Sequence, residues 1–260
     1  MRYNFELYSF YSDAESMKQC IKAGVDGIVV DWEVADKRHR QSLFNTQINR
    51  HDLSTLKSAA STYHGTIICR VNGGDLISQN EISSAITHGA TDILVPMVKN
   101  LSQIEQVLRY INGQARCLIM IETIEAIKIS AQIGSLPIDG VYVGLNDLAI
   151  ARNSRNIFVP IVDGTLDEIK SNIPMRLGVA GLTHPAFGSP IPSHLLVNEL
   201  RRLECDFTFL RRSFYRDASQ LGIASTISAI RRSLEEHTQF DKTKSEIFKK
   251  LVSEIVTPMI

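Results

Sequence analysis

The stretch Cys117-Leu118-Ile119-Met120-Ile121-Glu122-Thr123, followed by Ile124 to Ile133, Gly134 and then Gly140-Val141-Tyr142-Val143-Gly144-Leu145-Asn146-Asp147, decides the fold. Its first run is apolar on both faces, as a strand covered on both sides requires. Ile124, Ile127 and Ala131 then recur at helical spacing, and Gly134 stands where a helix would stop. A second short apolar run follows. Strand, helix and strand in one step of about 25 residues is a βα unit of a parallel sheet.

The same unit repeats in both directions. Candidate strands are Phe5–Phe10, Gly27–Asp31, Thr66–Val71, Asp92–Val98, Cys117–Glu122, Gly140–Val143, Arg176–Ala180 and Phe207–Arg211. Candidate helices are Ala14–Ala23, Asp52–Thr62, Gln79–His88, Leu101–Ile111, Ile124–Ile133, Leu166–Ile173, Ser193–Leu203 and Ala218–His237. Eight such units predict an α/β fold, the (β/α)₈ TIM barrel. A doubly wound open sheet is the alternative, but no strand–GxGxxG–helix opening supports it.

Two segments stand outside the repeat. Asp36–His51 is a polar stretch long enough to act as a lid over the site. Lys244–Ile255 spaces Ile247, Phe248, Leu251, Val252 and Ile255 as a helix after the barrel is complete. The chain is therefore divided into a catalytic barrel, 1–240, and a C-terminal helical extension, 241–260. The extension's apolar stripe needs a cover, either its own barrel or a neighbouring subunit, and a homo-oligomer contact is expected there.

Composition narrows the function classes. Of 260 residues, 28 are Lys or Arg and 28 are Asp or Glu, so the chain lacks the basic footprint of a nucleic-acid or polybasic membrane binder. No apolar run reaches the roughly 18 residues of a membrane span, and Arg2, Asn4 and Glu6 interrupt any leader-like start. A cytoplasmic enzyme with a small-molecule partner is expected. Cys20, Cys69, Cys117 and Cys205 form no C-x-x-C pair and read as buried free thiols.

In such a barrel the site forms where polar residues end apolar runs, at the C-terminal ends of the strands. Asp31 and Glu33 end the second strand, Arg70 and Asn72 the third, Glu122 the fifth, Asp147 the sixth, Thr183 and His184 the seventh, and Arg211 and Arg212 the eighth. Glu122 and Asp147 fall on neighbouring parallel strands, whose axes lie roughly 4.8 Å apart. Two carboxylates that close need a proton or a cation, and an all-oxygen pair suits Mg²⁺ or Mn²⁺. The alternative is a salt-bridged pair of barrel acids with Arg70 as partner. Arg70 itself offers a planar fork for a substrate carboxylate, or a structural ion pair. The Gly144-Leu145-Asn146-Asp147 turn directs backbone N–H groups at a bound anion, or is an ordinary turn. Arg211 and Arg212 either bind a second anion or close the barrel, and because successive strand residues point to opposite sides, one at most faces the mouth. Pro96 and Met97 read as packing, Trp32 as packed outward, His184 as facing the site or capping, and His51 as a lid residue.

These residues resemble, in order, the motifs of the HpcH/HpaI aldolase and citrate lyase beta-chain family. The resemblance runs through Ala23-Gly24-Val25-Asp26-Gly27 into Asp31-Trp32-Glu33, Arg70-Val71-Asn72, Val95-Pro96-Met97-Val98, Met120-Ile121-Glu122-Thr123 and Val143-Gly144-Leu145-Asn146-Asp147-Leu148, over about residues 20–150. It implies a (β/α)₈ barrel that makes or breaks carbon–carbon bonds through an enolate. It further implies Glu122 and Asp147 as metal ligands, Arg70 as the clamp on the substrate carboxylate and enolate oxygen, and Gly144, Leu145 and Asn146 as a wall of the substrate site. Two positions depart from the family. Val34 stands where the aldolase branch has histidine and the citrate-lyase branch aspartate, and Met120 stands where the aldolase branch has glutamine. Glu33 is then the candidate base. The expected function is a metal-dependent aldolase-type lyase of a small 2-oxo acid. An acyl-CoA lyase of the citrate lyase type and a non-catalytic carboxylate-binding barrel are the alternatives.

Overall fold

The computed structural model describes residues 5–33, 52–211, 213–236 and 239–255. Strands β1 (Glu6–Phe10), β2 (Gly27–Asp31), β3 (Thr66–Arg70), β4 (Asp92–Val95), β5 (Arg116–Ile121), β6 (Gly140–Val143), β7 (Arg176–Leu182) and β8 (Phe207–Leu210) are parallel and pair in sequence order. The pairing of β8 with β1 closes the barrel. Helices α1 (Ala14–Lys22), α2 (Leu53–Thr62), α3 (Gln79–Thr87), α4 (Leu101–Ile111), α5 (Ile124–Lys128) and α6 (Ser130–Ile133) lie between strands in the first half. The second half carries α7 (Leu145–Ala151), α8 (Val159–Val162), α9 (Thr165–Asn172), α10 (Ser193–Arg202), α11 (Ser213–Leu221), α12 (Ile223–Glu236) and the tail helix α13 (Lys242–Glu254).

Strand parity explains why the runs are apolar throughout. Tyr8, Val29, Ile68, Leu94, Leu118, Met120, Tyr142, Phe207 and Phe209 fill the barrel interior. Their immediate neighbours, such as Leu7, Ile28, Val30, Ile67, Cys69 and Ile119, face the helices. Inside, Tyr142 stacks on Phe209 at 4.1 Å between centroids, and Phe207 meets Tyr8 edge-on at 5.6 Å. The barrel is a packed core with a cavity at its C-terminal end. All four cysteines are buried and free, as expected.

Several expected elements end differently; the helix expected over Ile124–Ile133, for one, is two, α5 and α6. The fourth strand stops at Val95 because Met97 enters the left-handed region (φ 56°). The helix expected over Ala218–His237 is two helices separated by Gly222 (φ 85°) and begins five residues earlier, at Ser213. The 144–147 segment is no isolated turn: Gly144 caps α7, so Asp147 belongs to that helix's first turn rather than to the end of β6.

The tail folds back on its own barrel. Asp241 caps α13 by accepting from the Lys244 N–H at 3.2 Å, and Asn198 of α10 exchanges two hydrogen bonds with the Asp241 backbone. Phe248 and Val252 are buried, Phe248 meeting Phe158 edge-on at 6.2 Å. Asn156 donates to the Val252 carbonyl at 2.9 Å. The cover that the sequence assigns to a neighbouring subunit is thus supplied to these two residues within the chain, while Ile247 stays exposed. Among the described residues no helix is long and apolar enough to cross a membrane.

Candidate active site

A cavity of about 240 Å³ opens at the C-terminal ends of the strands. Arg70, Glu122, Asp147 and Arg211 supply its charged wall, together with Gly144, Leu145 and Asn146. Phe10, Met120, Tyr142, Phe209 and Tyr215 form its floor and sides, and Ile157, Phe158, Leu196 and Leu210 an apolar wall.

Glu122 follows β5 directly, and Thr123 then caps α5, accepting from the Ala126 N–H at 3.0 Å and donating to the Val98 carbonyl at 2.6 Å. This fixes the backbone that carries Glu122. Its Oε1 accepts from the Met97 N–H at 2.9 Å, which the left-handed turn of Met97 aims at it. A non-glycine residue held there costs of order 1 kcal/mol. On the other side lies Gly144, beside Ile121 across β5 and β6 and bonded to its carbonyl at 3.1 Å. A Cβ on Gly144 would stand 2.2 Å from Glu122 Oε2, so only glycine leaves this carboxylate its place. Oε2 is buried and has no hydrogen-bond partner among the described residues. Burial first, then the charges of Asp147 and Glu33, push Glu122 up to about 8 against the pull of Arg70 and the Met97 N–H.

Arg70 ends β3 in register with Asp31 at the end of β2. Its Nε and Nη2 meet the two Asp31 oxygens at 2.9 and 2.7 Å, and Nη1 lies 3.3 Å from Glu33. The guanidinium also lies over the Phe10 ring at 5.6 Å. Burial works against its charge, but Asp31 and Glu33 outweigh it and raise its pKa. The alternative that makes Arg70 the salt-bridge partner of Glu122 and Asp147 differs from what is seen: among the described residues its ion pairs are with Asp31 and Glu33, and it acts on Glu122 through its charge alone.

The donor set fits a divalent cation. Among the described residues Asp31, Glu33 and Glu122 act on Arg70, Asp147 acts on Glu122, and these four carboxylates compare with the two guanidinium groups of Arg70 and Arg211; one oxygen of Glu122 is buried and without a hydrogen-bond partner. Carboxylate oxygens are hard donors suited to Mg²⁺ or Mn²⁺, which keep several waters and need only one or two protein ligands. Among the described residues no three His, Cys, Asp or Glu side chains group as metal ligands, so a cation here would rest on Glu122 and Asp147 with waters completing its shell.

The other expected residues divide. Gly144, Leu145, Asn146 and Arg211 line the cavity. Glu33 is buried behind Arg70 and off the cavity wall. His184 also stands off it, tilted against Phe187 at 5.1 Å, while Thr183 is buried and donates to Asp217. Trp32 packs away from the mouth with its Nε1 donating to the Asp52 carbonyl at 3.0 Å. Val34, Asp36, His51 and Arg212 lie outside the described residues. Sequence reading missed the Met97 N–H and the aromatic lining. Parity could have found the latter: Phe10 shares a face with Tyr8, and Met120, Tyr142 and Phe209 stand two residues before Glu122, Gly144 and Arg211.

Residues 4–155 match the model of the HpcH/HpaI aldolase/citrate lyase family. No curated protein matches the chain. Among solved structures, an HpcH/HpaI aldolase from Desulfitobacterium hafniense superposes with a TM-score of 0.61 at 11% identity, covering 92% of this chain and 95% of that one. RipC from Yersinia pestis gives 0.60 at 15%, covering 95% and 100%. The citrate synthase SbnG gives 0.59 at 19%, covering 84% and 92%. At these identities the likeness shows the fold. The family match over more than half the chain shows the rest: this barrel belongs to the HpcH/HpaI aldolase/citrate lyase family, whose chemistry is of the lyase and aldolase type.

Proposed function

We propose that the chain is a divalent-metal-dependent carbon–carbon lyase of the aldolase type, acting on a small 2-oxo acid through its enolate. The observation that carries this reading is the buried Oε2 of Glu122, without a hydrogen-bond partner among the described residues, on a residue that lines the same cavity as Asp147 and feels its charge. Glu122 and Asp147 would hold Mg²⁺ or Mn²⁺, which when bound supplies Lewis-acid stabilisation of developing enolate charge. Arg70 orients the substrate carboxylate with the guanidinium face and edge left by Asp31 and Glu33, and it supplies a fixed positive charge in a site shielded from water. The Met97 N–H holds the orientation of Glu122. Glu33 holds Arg70 at 3.3 Å and adds its negative charge beside Glu122, which suits it to positioning the guanidinium. A cavity of about 240 Å³ suits a small acid.

The test is deuterium exchange at C3 of pyruvate in D₂O, followed by proton NMR with Mg²⁺ present. Exchange that disappears with a chelator and in Asp147→Asn is expected. Exchange that persists in both contradicts the metal-dependent reading, and Mg²⁺-loaded protein that exchanges neither pyruvate nor longer 2-oxo acids contradicts the enolising one.

A further inference from the structure

The peptide that joins Pro96 to Met97 is gripped from both ends. It is planar and trans, so its carbonyl oxygen and its N–H point in opposite directions. The N–H end donates to Glu122 Oε1 at 2.9 Å. The oxygen end lies against Gly73, three residues after Arg70. A Cβ on Gly73 would stand 1.8 Å from the Pro96 carbonyl oxygen, 2.6 Å from its carbon and 3.1 Å from Pro96 Cγ. The backbone of Gly73 is extended (φ −116°, ψ −170°), a conformation open to any residue, so close approach alone calls for glycine here.

The loop that carries Gly73 is tied down. Asn72 fastens it to α3, its N–H and Nδ2 meeting the two Glu81 oxygens at 3.2 and 2.8 Å. The Leu76 N–H donates to the Gly73 carbonyl at 3.2 Å and closes a tight turn behind it. Buried Gln103 of α4 then bridges this loop to the one after β4, donating to Asp75 at 3.4 Å and accepting from the Lys99 N–H at 2.8 Å. A side chain at 73 must therefore displace the Pro96–Met97 peptide rather than the loop. Gly74 differs from its neighbour: its φ is 59°, and its Cβ would meet the Met97 carbonyl oxygen at 3.6 Å, an ordinary contact.

We propose that Gly73 is a positioning residue for Glu122, acting through the Pro96–Met97 peptide: the bare backbone at 73 sets the tilt of that plane, and the plane aims the Met97 N–H at Oε1. A hydrogen bond to a carboxylate is strong and directional, so tilting the plane weakens it. With Gly144 against Oε2 on the other side, the carboxylate is bounded by two glycines that follow different strands, and one orientation is left to it. That this orientation serves a cation rests on the reading above; the hydrogen-bond geometry does not.

The test reads the Met97 N–H itself. Of the six methionines, labelled with ¹⁵N, the one whose amide signal vanishes in Met97→Leu is Met97. In Gly73→Ala that signal should move upfield, as an N–H released from a carboxylate does, and Mn²⁺ affinity measured by calorimetric titration should fall roughly tenfold, the worth of one charge-assisted hydrogen bond. Gly74→Ala, which strains the same loop without touching the peptide, should leave both readouts in place while its left-handed backbone lowers the melting temperature. A Met97 signal that stays in place in Gly73→Ala, or that moves as far in Gly74→Ala, would overturn the proposal. So would a signal that moves while Mn²⁺ affinity is kept. If the wild type takes up no Mn²⁺, the metal-dependent reading fails and the amide signal alone decides. If Gly73→Ala does not fold, Asn72→Ala, which unfastens the loop from Glu81 and adds no atom against Pro96, takes its place: an upfield Met97 signal upholds the proposal and an unmoved one overturns it.

Discussion

Glu122→Gln should stabilise the metal-free protein. In the absence of a cation this carboxyl titrates near 8 rather than at its ordinary 4.5, because burial and the charges of Asp147 and Glu33 disfavour its ionised form. The pKa is raised on folding, so the carboxyl's contribution is fully present below about pH 4.5 and is lost as pH rises through about 8. At pH 7 the folded chain must hold a proton that the unfolded chain has released, which costs about 3 kcal/mol at 1.36 kcal/mol per pKa unit. Glutamine keeps the shape, can still accept from the Met97 N–H, and turns an amide toward Asp147. Its melting temperature in EDTA should therefore rise by several degrees at pH 7–8, at roughly 2–4 °C per kcal/mol. The fall in wild-type stability between about pH 5 and 8 should flatten in the variant. Mg²⁺ at about 100 times its dissociation constant should stabilise the wild type by about 2.7 kcal/mol and leave the variant unmoved. Calorimetric scans across pH 5–8.5, with EDTA or Mg²⁺, read all three effects. A variant less stable than wild type in EDTA, or one that keeps the Mg²⁺ response, would refute the reasoning.

Three further outcomes are expected. Gly144→Ala places a methyl 2.2 Å from Glu122 Oε2 at a backbone angle (φ −84°) that alanine accepts, so crowding alone should lower Mn²⁺ affinity at least tenfold with little loss of stability; unchanged affinity in a titration would show that Glu122 has room to move. Arg70→Lys keeps a charge but loses the fork that grips Asp31, so pyruvate affinity should fall at least tenfold while Mn²⁺ binding persists, as measured by calorimetry. Phe248→Ala should cost about 3–5 kcal/mol, because the ring is fully buried against the chain's own Phe158, and thermal unfolding should show it without a change in mass by light scattering.

The barrel is legible in the sequence because short both-face apolar runs such as Ile67 to Cys69 and Leu118 to Ile121, alternating with helix-period stretches, read as strands packed on two sides, and the ends of such strands locate Arg70, Glu122 and Arg211. What it hid was backbone conformation and partner choice. Nothing in Pro96-Met97 announces a left-handed residue whose N–H meets Glu122 at 2.9 Å. Arg70 had four carboxylates to choose from, and the register of β2 on β3, which places Asp31 opposite it, made the choice. Asp147 was placed on a strand because the helix opening at Gly144 has no side-chain cap to mark its start. The tail stripe reads as apolar, but a helical pattern says what must be covered and not by what: Phe158, ninety residues away, meets Phe248, while Ile247 stays exposed.

The claim that Glu122 and Asp147 together hold a divalent cation is tested most directly by electron paramagnetic resonance of Mn²⁺ titrated into the purified chain. One bound Mn²⁺ per chain in the wild type, and none in Glu122→Gln or in Asp147→Asn at the same concentrations with both variants folded, is the result predicted. Full Mn²⁺ occupancy in both variants would contradict it.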